Sequence, residues 1–246
     1  MRIFLDVGGH YGEVLDVALD PRWGFERIYS FEPARHCRRI LSGFRDARVQ
    51  VVPAGLSSRS GKATLFGTGL LGASVYADKS QPGECVQTEN IALLRATDWL
   101  LANTSEEDDI YLKLNCEGSE CDVIEDMLDS GVIGRLRSIY VDFDVRKIPS
   151  QAHRRATVEQ RLRQHRQQFV TPDSLTRPAG SAAVREWLTL VGPQSPAARG
   201  TLRYRLGLHR PPYVWASRAA KATLPKPAYS LAARHLGAQT RLRTSR

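Results

Sequence analysis

The chain has 246 residues and a formal net charge of +9. That length allows one sizeable core, or one domain with an extension, and no stretch of about 18 apolar residues is present to span a membrane. The charge is divided unevenly: residues 1–145 carry 15 basic and 23 acidic side chains, net −8, whereas residues 146–246 carry 20 and 3, net +17, the pattern of an acidic domain followed by a strongly basic segment.

Ile3, Phe4, Leu5 and Val7 form a short apolar run with Asp6 near its end, and Gly8, Gly9 and Gly12 follow at once. Glu13 to Asp20 reads as a helix, so the chain opens as strand, glycine turn, helix. Glycines allow a tight turn and the close approach of a ligand. The helix beyond offers unpaired N–H groups to an anion. A second strand, Arg27 to Phe31, ends in Glu32, 20 residues after Gly12. A doubly wound fold grips a ribose hydroxyl pair with an acid at that place. Asp6-Val7-Gly8-Gly9-His10-Tyr11-Gly12 is not G-x-G-x-x-G, because its middle glycine is displaced. An ordinary tight turn beside a solvated Glu32 is the competing reading; strand, helix and acid spacing together favour a ligand site.

Arg35 to Phe44 reads as a helix, with Ile40, Leu41 and Phe44 on its apolar face. Val49 to Val52 is a third strand, ended by the small residues of Ala54-Gly55-Leu56-Ser57, which suit a flat ligand ring. Lys62 to Phe66 suggests an added short strand. Gly67 to Gly83 is rich in Gly and Ser and reads as a loop or lid. Thr97 or Asp98 is placed to cap a short helix containing Trp99, Leu100 and Leu101. Ile110 to Asn115 alternates as a strand and runs into Cys116-Glu117-Gly118. Asp122 to Leu128 reads as a helix with Gly131 as its stop, and Ser138 to Phe143 as a fifth strand. Strands alternating with helices at this spacing argue for a mostly parallel sheet with helices on both faces.

Beyond Pro149 the pattern weakens. Thr157 to Phe169 reads as a helix with many arginines outward, and Glu186 to Val191 and Tyr213 to Ala216 as late strands. Domain limits of 1–192 and 193–246 follow, the second a basic Pro/Ala/Arg-rich extension expected to be poorly ordered. Residues 195–246 hold no Asp or Glu and too little apolar pattern to offset their ordering entropy. The four cysteines, Cys37, Cys85, Cys116 and Cys121, are scattered without the spacing of a metal knuckle, so no metal is expected. Reduced thiols and the lack of a signal-peptide pattern give a cytoplasmic location as the expectation.

Four pieces in order resemble the FkbM-type family of S-adenosylmethionine-dependent methyltransferases. They are Leu5-Asp6-Val7-Gly8-Gly9-His10-Tyr11-Gly12, Tyr29-Ser30-Phe31-Glu32-Pro33, Val52-Pro53-Ala54-Gly55-Leu56-Ser57 with Gly61 behind it, and Lys113-Leu114-Asn115-Cys116-Glu117-Gly118-Ser119-Glu120. The match covers residues 2–149. The resemblance implies a Rossmann-like class I methyltransferase fold with a seven-stranded sheet. It implies S-adenosyl-L-methionine as methyl donor, and an oxygen of a sugar, glycan or small molecule as acceptor. Asp6, Gly8, His10 and Gly12 would then line the methionine end of the cofactor, Glu32 would hold the ribose, and Gly55 and Leu56 would lie by the adenine. The chain departs from the pattern at His10, where the family often has Asn, at Asn115, where it has Asp, and in its tail.

Methyl transfer needs two partners positioned and one proton removed. Lys113, Asn115 and Glu117 crowd the end of the fourth strand. Lys113 in a central strand needs an acid or carbonyl partner, and a Lys113–Glu117 ion pair supporting the turn is one reading. In the other, Glu117 is the base or orients the acceptor hydroxyl, and Asn115 hydrogen-bonds cofactor or substrate. Asp142 and Asp144 read first as strand-end polar residues, with facing the cleft as the second reading. An inactive methyltransferase-like binding module, holding an anionic partner with its basic tail, is the alternative function. An NAD-type oxidoreductase is disfavoured by the glycine spacing.

Overall fold

Residues 1–68, 72–79, 87–177, 180–192 and 202–211 are described by the structure, a computed structural model. In chain order they form β1 (Arg2–Val7), α1 (Glu13–Ala18), β2 (Arg27–Phe31), α2 (Arg35–Leu41), β3 (Val49–Val52), β4 (Gly55–Ser57), β5 (Gly61–Phe66) and β6 (Thr88–Arg95). These are followed by α3 (Ala96–Asn103), β7 (Asp109–Leu114), α4 (Glu120–Asp129), β8 (Leu136–Val141), α5 (Arg154–Gln164), β9 (Phe169–Val170), α6 (Gly180–Val191) and α7 (Leu202–Arg205). Six strands make one parallel sheet in the order β3-β2-β1-β7-β8-β9. A second sheet, β4-β6-β5, sits beside it, with β5 and β6 antiparallel. The fold is α/β and Rossmann-like. The six described strands of the main sheet fall short of the implied seven.

Strand alternation distributes the core between two faces. Ile3, Leu5 and Val7 of β1 pack with Ile110, Leu112 and Leu114 of β7 against α3, α4 and α5. Phe4, Tyr111 and Tyr140 point the other way, into a cluster with Leu15 of α1 and Trp187 of α6. The Trp187 indole donates to Ser138 Oγ at 3.0 Å, which satisfies its one polar atom in the core. Ala183, Val184, Trp187 and Leu188 fall on one side of α6. That 3.6-residue spacing explains why Glu186 to Val191 is helical and not the expected strand. The expected helix over Thr157 to Phe169 stops at Gln164, and Phe169 instead opens β9 at the sheet edge.

Two further expectations change. The N-terminal turn of α3 is capped neither by Thr97 nor by Asp98. Asp126 of α4 supplies the acceptor, taking Thr97 N–H at 2.8 Å while also binding Arg95 Nε at 2.7 Å. Part of the basic extension is structured: residues 209–211 meet Asp16 of α1 and the turn after α2 at Gly43 and Arg45. His209 is 2% exposed and meets Asp16 Oδ1 at 3.2 Å, its ring stacks on Tyr204, and its carbonyl accepts Arg45 N–H at 2.9 Å. The expected strand at Tyr213 to Ala216 and the rest of the extension lie outside the described residues. No helix among the described residues is long and apolar enough to cross a membrane.

Candidate active site

In the main sheet, β1 leads outward to β2 and β3 one way, and β7 to β8 and β9 the other. The carboxyl ends of β1 and β7 therefore flank the point where strand order reverses, the place where open α/β sheets bind ligands. A cavity of about 350 Å³ opens there, within the range of small-molecule sites. Gly8, His10, Glu32, Gly55, Leu56, Lys113, Asn115 and Glu117 line it, so eight of the ten expected site residues meet around one space. Asp6 and Gly12 do not face it.

Asp6 is fully buried behind the wall. Parallel register sets it between Ser30 and Lys113 on one face of the sheet. Ser30 Oγ donates to Asp6 Oδ2 at 3.2 Å, and Lys113 Nζ lies 3.0 Å from Asp6 Oδ1. The same ammonium donates to Val7 O at 3.0 Å and Gly8 O at 2.8 Å. Two hydrogen bonds and one ion pair from Lys113 thus brace the glycine turn and the end of β1. The expected Lys113–Glu117 ion pair is thereby corrected: Lys113 pairs with Asp6 and Glu117 with Lys79, while Lys113 still lines the cavity.

The glycines answer to packing within the chain. A Cβ on Gly8, at φ 84°, would lie 1.9 Å from the Asn115 carbonyl oxygen, and one on Gly12, at φ 86°, would strike Phe44 at 2.4 Å. The two strand-end turns interlock, and only glycine permits it. The turn into α1 faces the cavity through His10, Glu13 and Val14, and this six-residue helix carries Glu13 and Asp16 in its first turn.

Glu32 is 6% exposed at the end of β2. Its Oε2 accepts His10 N–H at 2.8 Å and its Oε1 accepts Ala34 N–H at 2.8 Å. Each carboxylate oxygen keeps a further lone pair. Burial pushes the Glu32 carboxyl up from its ordinary value against those two backbone bonds. Around it the wall is apolar: Leu65 and Ile91 of the small sheet are buried in a cluster with Ala34 and Cys37. β6, which the sequence reading missed, supplies Ile91 and Leu93 to this wall.

His10 (φ 44°) and Glu117 (φ 61°) are two of the three non-glycine residues with positive φ among the described residues. They stand on the turns after the two central strands, and both line the cavity. Such conformations cost on the order of 1–3 kcal/mol and gather at functional sites. The turn after β7 is held from below by Glu120, whose carboxylate accepts N–H bonds from Cys116 and Gly118 at 2.9–3.1 Å. Burial outweighs those bonds and pushes Glu120 up to about 7.

The turn at Glu117 directs its side chain toward residues 72–79 of the β5–β6 connection, away from Lys113. Lys79 Nζ pairs with Glu117 Oε2, and Ser74 Oγ donates to the Glu117 carbonyl at 2.7 Å. Residues 69–71 and 80–86 of the expected lid lie outside the described residues. Burial and the neighbouring Asp144 carboxylate push Glu117 up, against the pull of Lys79. Lys79 was not singled out by sequence, and Asp144 was read first as a strand-end polar residue and only second as facing the cleft. Lys79 sits in a polar loop 38 positions from Glu117 with no motif around it.

Asn115 Oδ1 is buried and has no hydrogen-bond partner among the described residues, although the residue lines the cavity. An orphaned buried acceptor costs about 1–3 kcal/mol, which a donor on a ligand would recover. Among the described residues no group of three or more His, Cys, Asp or Glu is placed to hold a metal. No family model, no curated protein and no solved structure matches this chain.

Proposed function

We propose that the chain is an S-adenosylmethionine-dependent methyltransferase acting on a hydroxyl of a sugar, glycan or small molecule. The observation that carries the reading is Glu32: a buried carboxylate held on both oxygens by backbone, on the wall of a switch-point cavity. Its remaining lone pairs suit the two hydroxyls of a ribose.

The residues present fit this cofactor better than a dinucleotide. Glu13, Glu32 and Glu117 bring three carboxylates to the wall; Lys79 matches Glu117 and Asp6 matches the Lys113 ammonium, so negative charge remains in excess. Such a wall favours a cation and repels a pyrophosphate. Glu32 would hold the ribose, Gly55 and Leu56 with the apolar side chains of the small sheet would enclose the adenine, and Asn115 Oδ1 would accept from the amino-acid end. When bound, the cofactor supplies an electrophilic methyl group on a sulfonium. The chain's own part is to orient the acceptor, exclude water and receive one proton, for which Glu117 is the placed carboxylate.

Calorimetric titration tests this: S-adenosylmethionine and S-adenosylhomocysteine should bind and NAD should not. Asn115, standing where the family pattern has an acid, favours a second reading, a binding module without turnover. With cofactor binding in hand, a panel of hydroxylated acceptors separates the two.

A further inference from the structure

Glu117 meets charged groups from three directions. Lys79 comes from the β5–β6 connection and holds Glu117 Oε2, with its Nζ also 3.5 Å from the Glu117 carbonyl oxygen. Asp144 comes from the turn after β8, and its negative charge beside Glu117 pushes that carboxyl up. On Glu117's own turn lie Glu120, engaged with backbone N–H groups, and Asp122, engaged with Arg154 at 2.8 Å and Tyr76 at 2.7 Å.

Two neighbouring carboxylates repel, so nearby cations decide which of them is ionised. The cations are not shared evenly. Lys147 Nζ at 2.7 Å and Arg146 at 3.4 Å both serve Asp144. Lys79, with a side chain only 11% exposed, is the cation on the Glu117 side. Despite its burial, Asp144 is held below the usual carboxylate range by Glu117 and Lys147 beside it, while Glu117 lies above it. A proton taken up by the pair therefore belongs on Glu117, and Lys79 is what opposes it there.

We propose that Lys79 and Asp144 are positioning residues that set the proton occupancy of Glu117, with Lys79 keeping it ionised against Asp144. This rests on the reading of Glu117 as the group that receives the acceptor's proton. It also ties two properties of the site together. Gly72, Ala73 and Val75, on the same eight-residue stretch as Lys79, line the cavity. The segment that walls the ligand space thus carries the charge that readies the carboxylate.

The test reads Glu117 directly and needs no acceptor. Carbon-13 NMR of side-chain-labelled glutamate follows its titration in the full chain, with Glu117→Gln to assign the signal. Lys79→Met should raise the Glu117 midpoint by about one pH unit or more, Asp144→Asn should lower it, and Lys79→Arg should restore it to near the parent value. Thermal unfolding confirms that each variant is folded. If Lys79→Met fails to fold, Asp144→Asn and Lys79→Arg still decide. A midpoint unmoved in a folded Lys79→Met or Asp144→Asn variant overturns the proposal. Failure of S-adenosylhomocysteine to bind would instead sink the methyltransferase reading and leave the titration result standing.

Discussion

Replacing Lys113 with Met removes a buried cation of matched length and leaves its partners behind. Asp6 would keep only the Ser30 hydroxyl, and the Gly8 carbonyl would lose its 2.8 Å donor, while Val7 O would retain the Asn115 N–H at 3.2 Å. Breaking a buried pair in this way costs about 3–5 kcal/mol, because the surviving charge stays buried and unmatched. Against a total stability of about 5–15 kcal/mol that is a large fraction. Urea unfolding should show the midpoint falling at an unchanged slope. Adding Asp6→Asn to Lys113→Met should recover at least about 1 kcal/mol, since it removes the stranded charge. A single variant that loses less than about 1 kcal/mol, or one that keeps its stability and loses turnover alone, would refute the structural role and return Lys113 to the chemistry.

Glu32→Ala should weaken S-adenosylhomocysteine binding at least about tenfold, the minimum for charge-assisted bonds of about 1.5–3 kcal/mol each, and calorimetry on the folded variant checks it. Glu120 is raised from 4.5 to about 7 in the folded chain, so the folded state binds the extra proton. Stability should therefore fall as pH rises from 4.5 through 7, by on the order of 3 kcal/mol. Glu120→Gln should flatten that slope in urea midpoints measured across the range, and an unaltered slope would assign it elsewhere. Truncation after Gly192 removes the contacts of His209 and Arg210 with Asp16; it should lower the melting temperature by several degrees yet leave cofactor affinity within about twofold. Lost cofactor binding in a folded truncation would make the extension part of the site.

The sheet was legible because its strands are central and parallel, so apolar runs such as Ile3–Val7 and Ile110–Leu114 declare themselves without help from partners. The place of Glu32 on the cavity wall was legible because it follows from where a strand ends. Other features depend on partners distant in sequence. Nothing near Lys113 says that Asp6 will stand beside it; that follows from β1–β7 register. Nothing near Thr97 says that Asp126 will cap its helix. The strand β6 escaped notice because Thr88–Arg95 lies on a half-covered sheet, where alternation is diluted by the polar residues Glu89 and Asn90. Glu186–Val191 was misread because a six-residue window is too short to separate the two periods. Lys79 could be found only once the turn at Glu117 was seen to point its side chain sideways.

The Lys113 ammonium reaches across 106 residues of sequence to the Val7 carbonyl. On a ribosome adding about 5–20 residues per second, β1 with its glycine turn leaves several seconds ahead of the strand that completes it. β2 and β3 can already pair on one side during that interval, while the other edge of β1 waits open with an acid on it. Closure of this central pair is a long-range event, of the kind that slows folding. The ligand space thus comes into being late, and an interrupted chain shorter than about 115 residues would carry half a site, an unsatisfied Asp6 and a sticky strand edge.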